Sequence, residues 1–169
     1  MTPAHRWTIV LAIAAGGWLL TAHALAVAPE VRDDGKFFSA EAVKKADERI
    51  AEIYRKYGRD LLIETYATVP AADLDKVKAM DDKQRGEYSL SWAKERAHRR
   101  AVNGVYILIC KEPRILRIGV DERMPHKFAE GTQADIDKAL KKELTDGHFD
   151  QVLDQAIKIV EERLAKGKQ

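Results

Sequence analysis

Apolar residues along this chain fall into two kinds of run. Val105 to Lys111 is almost continuously apolar and mostly β-branched or aromatic, the pattern of a strand buried on both faces. Asn103-Gly104 opens it, Glu112-Pro113-Arg114 breaks it, and Ile115 to Val120 follows as a second strand, so the short break predicts a β-hairpin. Leu61 to Val69, stopped by Pro70, is the one other stretch apolar enough for the middle of a sheet. The remaining runs repeat at steps of three and four. Val43, Ala46, Ile50, Ile53 and Tyr57 define a helix capped by Ser39 and closed by Gly58. Leu90, Ala93, Ala97 and Ala101 define another, whose small residues suit close approach to a sheet.

Two more helices follow the hairpin. Asp121 to Gly131 reads as a loop, and Thr132 with Asp135 reads as a capping box for a helix burying Ile136, Ala139, Leu140 and Leu144. Asp150 is placed to cap the last helix, with Phe149, Leu153, Ile157, Val160 and Leu164 as its stripe. Pro29 to Lys36 reads as a polar lead-in ending in a turn, and Ala71 to Arg85 as a short helix or excursion. Strand, helix, strand implies a parallel pair joined by a crossover. The expected fold is therefore α/β: a three-layer α/β/α sandwich on a small mixed sheet that combines a parallel crossover with a β-hairpin.

The amino terminus changes the picture. Arg6 precedes an uncharged stretch from Trp7 to Ala28, and Ala24-Leu25-Ala26 supplies the small-x-small pattern that signal peptidase reads. The expectation is a leader over residues 1–26 and one domain over residues 27–169, giving an exported, periplasmic or extracellular protein. The alternative is an uncleaved anchor, because the stretch is long enough to cross a bilayer. No membrane span is expected after the leader.

Charge and cysteine narrow the function. The chain carries 29 Lys and Arg against 27 Asp and Glu, and Arg6 is the only charged residue in the leader. A nearly neutral domain is unsuited to nucleic acid, whose binders carry a strong positive excess. Cys110 is the single cysteine and lies in the most apolar strand, where a thiol is ordinarily a small buried hydrophobe. The basic run Lys94, Arg96, Arg99 and Arg100 reads as a solvated helix face, with contact to phosphate groups or anionic lipid as the alternative.

Nucleophilic chemistry has no foothold in the motifs. There is no G-x-S-x-G elbow, no glycine-rich phosphate cradle, no C-x5-R loop at Cys110, and no EF-hand glycine or glutamate after Asp73-Leu74-Asp75 or Asp81-Asp82. His98, His126 and His148 stand apart from any serine in a strand-to-helix turn. Turn carboxylates are what remain. In an open α/β sheet ligands sit beyond the carboxyl ends of the strands. Asp33 and Asp34 on one side and Asp121 and Glu122 on the other are expected to meet there as hard oxygen donors for calcium or another divalent cation.

In order along the chain, Val31-x-Asp33, Phe38-Ser39, Val69-Pro70, Trp92-Ala93, Asn103-Gly104-Val105, Arg117-Ile118-Gly119-Val120 and Gly147-x-Phe149-Asp150 together resemble the TPM domain. That resemblance spans Val31 to Leu164. It implies an α/β/α sandwich outside the cytoplasm, calcium or other divalent cation binding, and in some members acid phosphatase activity. Asp33, Asn103 and Gly104 match the family pattern, whereas Asp121 replaces the second glycine of its Gly-Tyr-Gly. The function expected from all this is a non-enzymatic accessory or assembly factor of a membrane or envelope complex, with a cation site formed by Asp33, Asp34, Asn103, Gly104, Asp121 and Glu122. The alternative is a slow metal-assisted phosphomonoester hydrolase.

Overall fold

A computed structural model describes residues 30–167, so the leader assigned to residues 1–26 lies outside the described residues. Four strands form one sheet in the order β1-β2-β3-β4: β1 Val31–Asp33, β2 Asp60–Thr68, β3 Gly104–Glu112 and β4 Ile115–Val120. The first three are mutually parallel, and β4 returns antiparallel to β3 as the hairpin. The expected mixed sheet is present. The lead-in also contributes β1, an edge strand too short for any hydrophobic period to announce.

Helices cover both faces. α1 Ala40–Tyr57, α4 His126–Asp146 and α5 Phe149–Lys166 pack on one side. α2 Leu74–Ala79 and α3 Asp82–Arg99 pack on the other, with a 3-10 turn at Ala71–Asp73 leading into them. Strand alternation sorts the core. Leu61, Ile63, Val105, Ile107, Ile109 and Ile118 face α1, α4 and α5, while Leu62, Tyr106, Leu108, Cys110 and Ile115 face α2 and α3. Each such aliphatic side chain contributes about 1.5–3 kcal/mol when fully buried.

Local signals account for several boundaries. The Ser39 hydroxyl accepts from the Ala42 amide, and Gly58 ends α1 at φ 62°, a left-handed conformation costly for any residue with a Cβ. Asp81 and Gln84 form a reciprocal capping box at the start of α3.

Three expectations are corrected. Thr132 and Asp135 do not make a capping box: residues 126–129 already form a helical turn, Glu130 and Gly131 interrupt it, the Thr132 hydroxyl donates back to the Phe128 carbonyl, and Asp135 pairs with Arg163. Asp150 accepts from the Ser39 amide at 2.8 Å, so it ties α5 to the start of α1 instead of capping its own helix. Leu90, read as part of the buried stripe of α3, is 48% exposed, and Trp92 and Ser89 are buried in that helix.

Candidate functional site

The six residues expected to share one site divide between opposite ends of the sheet. Asp33 is paired in register with Thr65, and Thr65 with Ile109. Asp121 follows β4, and its amide donates to the Gly104 carbonyl at the other end of β3. Five residue steps separate Gly104 from Ile109, about 16 Å along the strand. The expectation assumed that both acidic pairs follow strands pointing the same way, but β4 runs antiparallel, so its carboxyl end lies beside the amino ends of β2 and β3. Asp33 and Asp34 therefore cannot join Asp121 and Glu122 around one ion, whereas Asn103, Gly104, Asp121 and Glu122 do share an end.

At the first end Asp33 holds the β1–α1 turn together. Its Oδ1 accepts from the Phe37 amide at 2.9 Å and the Thr65 hydroxyl at 2.5 Å, and its Oδ2 accepts from the Phe38 amide at 2.9 Å. Asp34 beside it is exposed. Asp33→Ala should cost about 2 kcal/mol by orphaning these donors, measured by urea unfolding in the presence of a chelator. A loss seen only with calcium present would show that the carboxylate serves an ion and not the turn.

At the second end Asn103 joins the starts of β2 and β3. Its side-chain oxygen accepts from Arg59 at 2.8 Å, its amide donates to the Asp60 carboxylate at 2.7 Å, and its carbonyl accepts from the Asp60 amide. Asp121 is gripped by Arg123, whose amide, Nε and Nη2 each lie 2.8 Å from a carboxylate oxygen. Those hydrogen bonds hold the Asp121 carboxyl below the usual carboxylate range, against a small opposing effect of burial. Glu122 is exposed. Among the described residues no three His, Cys, Asp or Glu side chains come together as a metal cluster. The donor chemistry does not fit a hard cation: Asp33 and Asp121 each accept three protein donors, Asp60 accepts from the Asn103 amide, and Asp34 and Glu122 stand exposed beside them.

Beside Asp121 a cleft of about 450 Å³ opens between α3 and β4. Its floor follows from small residues. Ala93 and Ala97 bring α3 close to the sheet, Ala101 follows the helix as an exposed turn residue at φ 50°, and a Cβ at Gly119 would touch nothing within 4 Å, so the position opposite Tyr106 stays open. Lys94, Arg117 and Arg123 bring positive charge to its walls beside the His98 ring, and Asp121 and Glu122 bring negative charge. Arg117 donates to the carbonyls of Gly86 and Leu116, while its buried Nε has no partner among the described residues.

A second cluster, on the other flank of α3, escaped the sequence reading. Glu64 in the middle of β2 is 1% exposed and accepts five hydrogen bonds. Its Oε2 takes the Tyr106 hydroxyl at 2.7 Å, the Tyr66 hydroxyl at 3.0 Å and Arg96 Nε at 3.0 Å, while its Oε1 takes Arg96 Nη2 at 2.7 Å and Arg100 Nε at 3.3 Å. Burial on its own would raise the Glu64 pKa, and the bonds from Arg96, Tyr106 and Tyr66 outweigh it, so the carboxyl is held below its ordinary value. Burial and the adjacent carboxylate push the Tyr106 and Tyr66 hydroxyls up, keeping them protonated donors. Arg96, read from sequence as part of a solvated face, thus turns inward, Arg100 reaches in with its Nε while staying exposed, and Lys94 and Arg99 remain outside. The missed signal was the charge at Glu64 inside an apolar strand, since a buried carboxylate requires cationic partners. Cys110 matches its expectation: it is buried, and burial raises its thiol pKa.

This architecture, a small mixed sheet between helical layers with a cleft where the hairpin meets α3, defines an α/β sandwich module. The family model for the TPM domain matches residues 31–163. The chain belongs to the TPM-domain family. Two solved structures share the fold. The N-terminal domain of a protein from P. gingivalis superimposes with a TM-score of 0.62 at 13% identity over 81% of this chain and 82% of that one. The N-terminal domain of a Corynebacterium glutamicum protein gives 0.53 at 11% identity over 94% and 87%. Comparison with curated proteins finds no match.

Proposed function

We propose that this TPM domain is a non-enzymatic binding module, exported by its leader, that uses the cleft between α3 and β4 to engage a protein of an envelope or membrane complex. The observation that carries this reading is the cleft itself: an alanine-lined floor under α3, flanked by charges of both signs, on a domain whose cysteine is buried and whose acidic turn residue is tied to Arg123. Apolar floors with charged rims are how proteins recognise other proteins specifically. The uncharged stretch from Trp7 to Ala28 supports export, and among the described residues no helix is long and apolar enough to cross a membrane.

A photo-crosslinking residue at Lys94, in the cleft wall, should give discrete protein adducts in cells that make the chain, whereas the same group at Glu48 on α1 should give none. Equal labelling from both positions, or none from Lys94, rejects the cleft as the contact. The second reading, a slow acid phosphatase, draws on the three basic cleft residues, and aryl phosphate hydrolysis lost in Arg123→Ala would favour it over the first.

A further inference from the structure

We propose that Arg96 and Arg100, aligned by Glu64, form a binding site for one oxyanion, a carboxylate or phosphate group, on the flank of α3 away from the cleft. Glu64 is saturated by five donors, so its role is to fix its partners. It engages Arg96 through Nε and Nη2, and Arg100 through Nε alone. Arg96 Nη1 and both Nη groups of Arg100 consequently have no acceptor among the described residues, and the two side chains remain 25% and 36% exposed. Two guanidiniums meet one carboxylate, leaving a positive charge beside a low-dielectric wall of tyrosine rings, where attraction to an anion is screened less than at an open surface. Glu64 restrains Arg96 through two nitrogens and Arg100 through one, which lowers the ordering cost of charge-assisted guanidinium bonds to a ligand.

Neighbouring charges set the direction of approach. Arg32, paired in register with Glu64 on β1, lies on the same face of the sheet and reaches Glu30 at 3.4 Å. Asp34 follows β1 and bears on Tyr66, whose ring stacks on Trp92 one helical turn before Arg96. Arg100 lies a turn beyond Arg96, farther along the chain from the Tyr66–Trp92 contact beside which Asp34 acts. α3 leans over β3 and β4, which leaves the β1–β2 side of this cluster accessible. A guanidinium fork can donate to two oxygens of one acid group, which a lysine ammonium cannot match.

The test is an NMR titration of the full chain at constant ionic strength, following the arginine Nε–Hε signals, with inorganic phosphate and acetate in separate arms and chloride as the reference. Saturable shifts of Arg96 and Arg100 with phosphate or acetate, absent with chloride, are expected, and the arm that saturates first identifies the acid class. Arg100→Gln should weaken binding about tenfold or more, whereas Arg99→Gln, on the exposed face, should leave it unchanged. Arg100→Lys, which keeps the charge and loses the fork, serves if the glutamine variant does not fold, and should weaken binding as well. Shifts equal to those with chloride, saturation confined to Arg117 and Arg123 in the cleft, or unaltered affinity in both Arg100 variants would overturn the site.

Discussion

Glu64→Ala is expected to remove about 3–5 kcal/mol of stability, the range for breaking a buried ion pair from one side, and to lower the melting temperature by roughly 10 °C. The cost comes from what stays behind. Arg96 would keep its charge without its carboxylate, and the hydroxyls of Tyr66 and Tyr106 would lose their acceptor under α3. Glu64→Gln should fall between alanine and wild type, because the amide still accepts one set of these bonds but carries no charge. The same residue sets an acid limit. Its pKa is lower in the folded chain than in the unfolded one, so its contribution is complete above the ordinary carboxylate range and drains away as pH falls below about 4 and through the folded value. Urea midpoints measured down this pH range should therefore drop more steeply in the wild type than in Glu64→Gln. Parallel slopes would mean that the cluster has no net linkage to protons.

Gly104→Ala should be the most disruptive small substitution in the sheet. A Cβ there would stand 2.1 Å from the Asp60 carbonyl oxygen and 2.8 Å from the Asp60 nitrogen. Both are backbone atoms of the paired strand, so no side chain can move aside, and the register Asp60↔Gly104 has to open. About 3 kcal/mol or more is expected, together with loss of the bonds linking Asn103, Asp60 and Arg59 at the start of β2 and β3. Thermal unfolding and amide exchange on β2 and β3 would measure it, and a change under about 1 kcal/mol would show that the strands tolerate local separation. The comparison residue is Gly58, where a left-handed φ of 62° and open space make the conformation, not a collision, the reason for glycine.

Periodicity revealed those parts of the fold that bury a long regular face. Ile50 and Ile53 of α1, the central strands and the hairpin stand where their patterns put them, because a helix period or a run of β-branched residues is a statement about burial that tertiary structure rarely reverses. β1 spans three residues and has no period to detect. The candidate site was partly legible. Asn103-Gly104 and Asp121-Glu122 are brought to one end by the hairpin, but strand direction, which composition does not encode, sends Asp33 and Asp34 to the other. Arg96 and Arg100 were misplaced for a different reason. Their inward reach depends on a carboxylate 32 and 36 residues away in sequence, and helical spacing describes only neighbours on the same coil.

The pairing of α1 with α5 carries a consequence for how the molecule is made. Arg49 of α1 reaches Asp154 and Glu161 of α5, and the two helices share one apolar cluster against the sheet. The part of the α1 surface that meets α5 thus stays uncovered until residues 149–166 have been made, although the sheet covers α1 from its other side. Contacts between distant parts of a chain form slowly, so this layer of the core is expected to be the last to gain protection during folding.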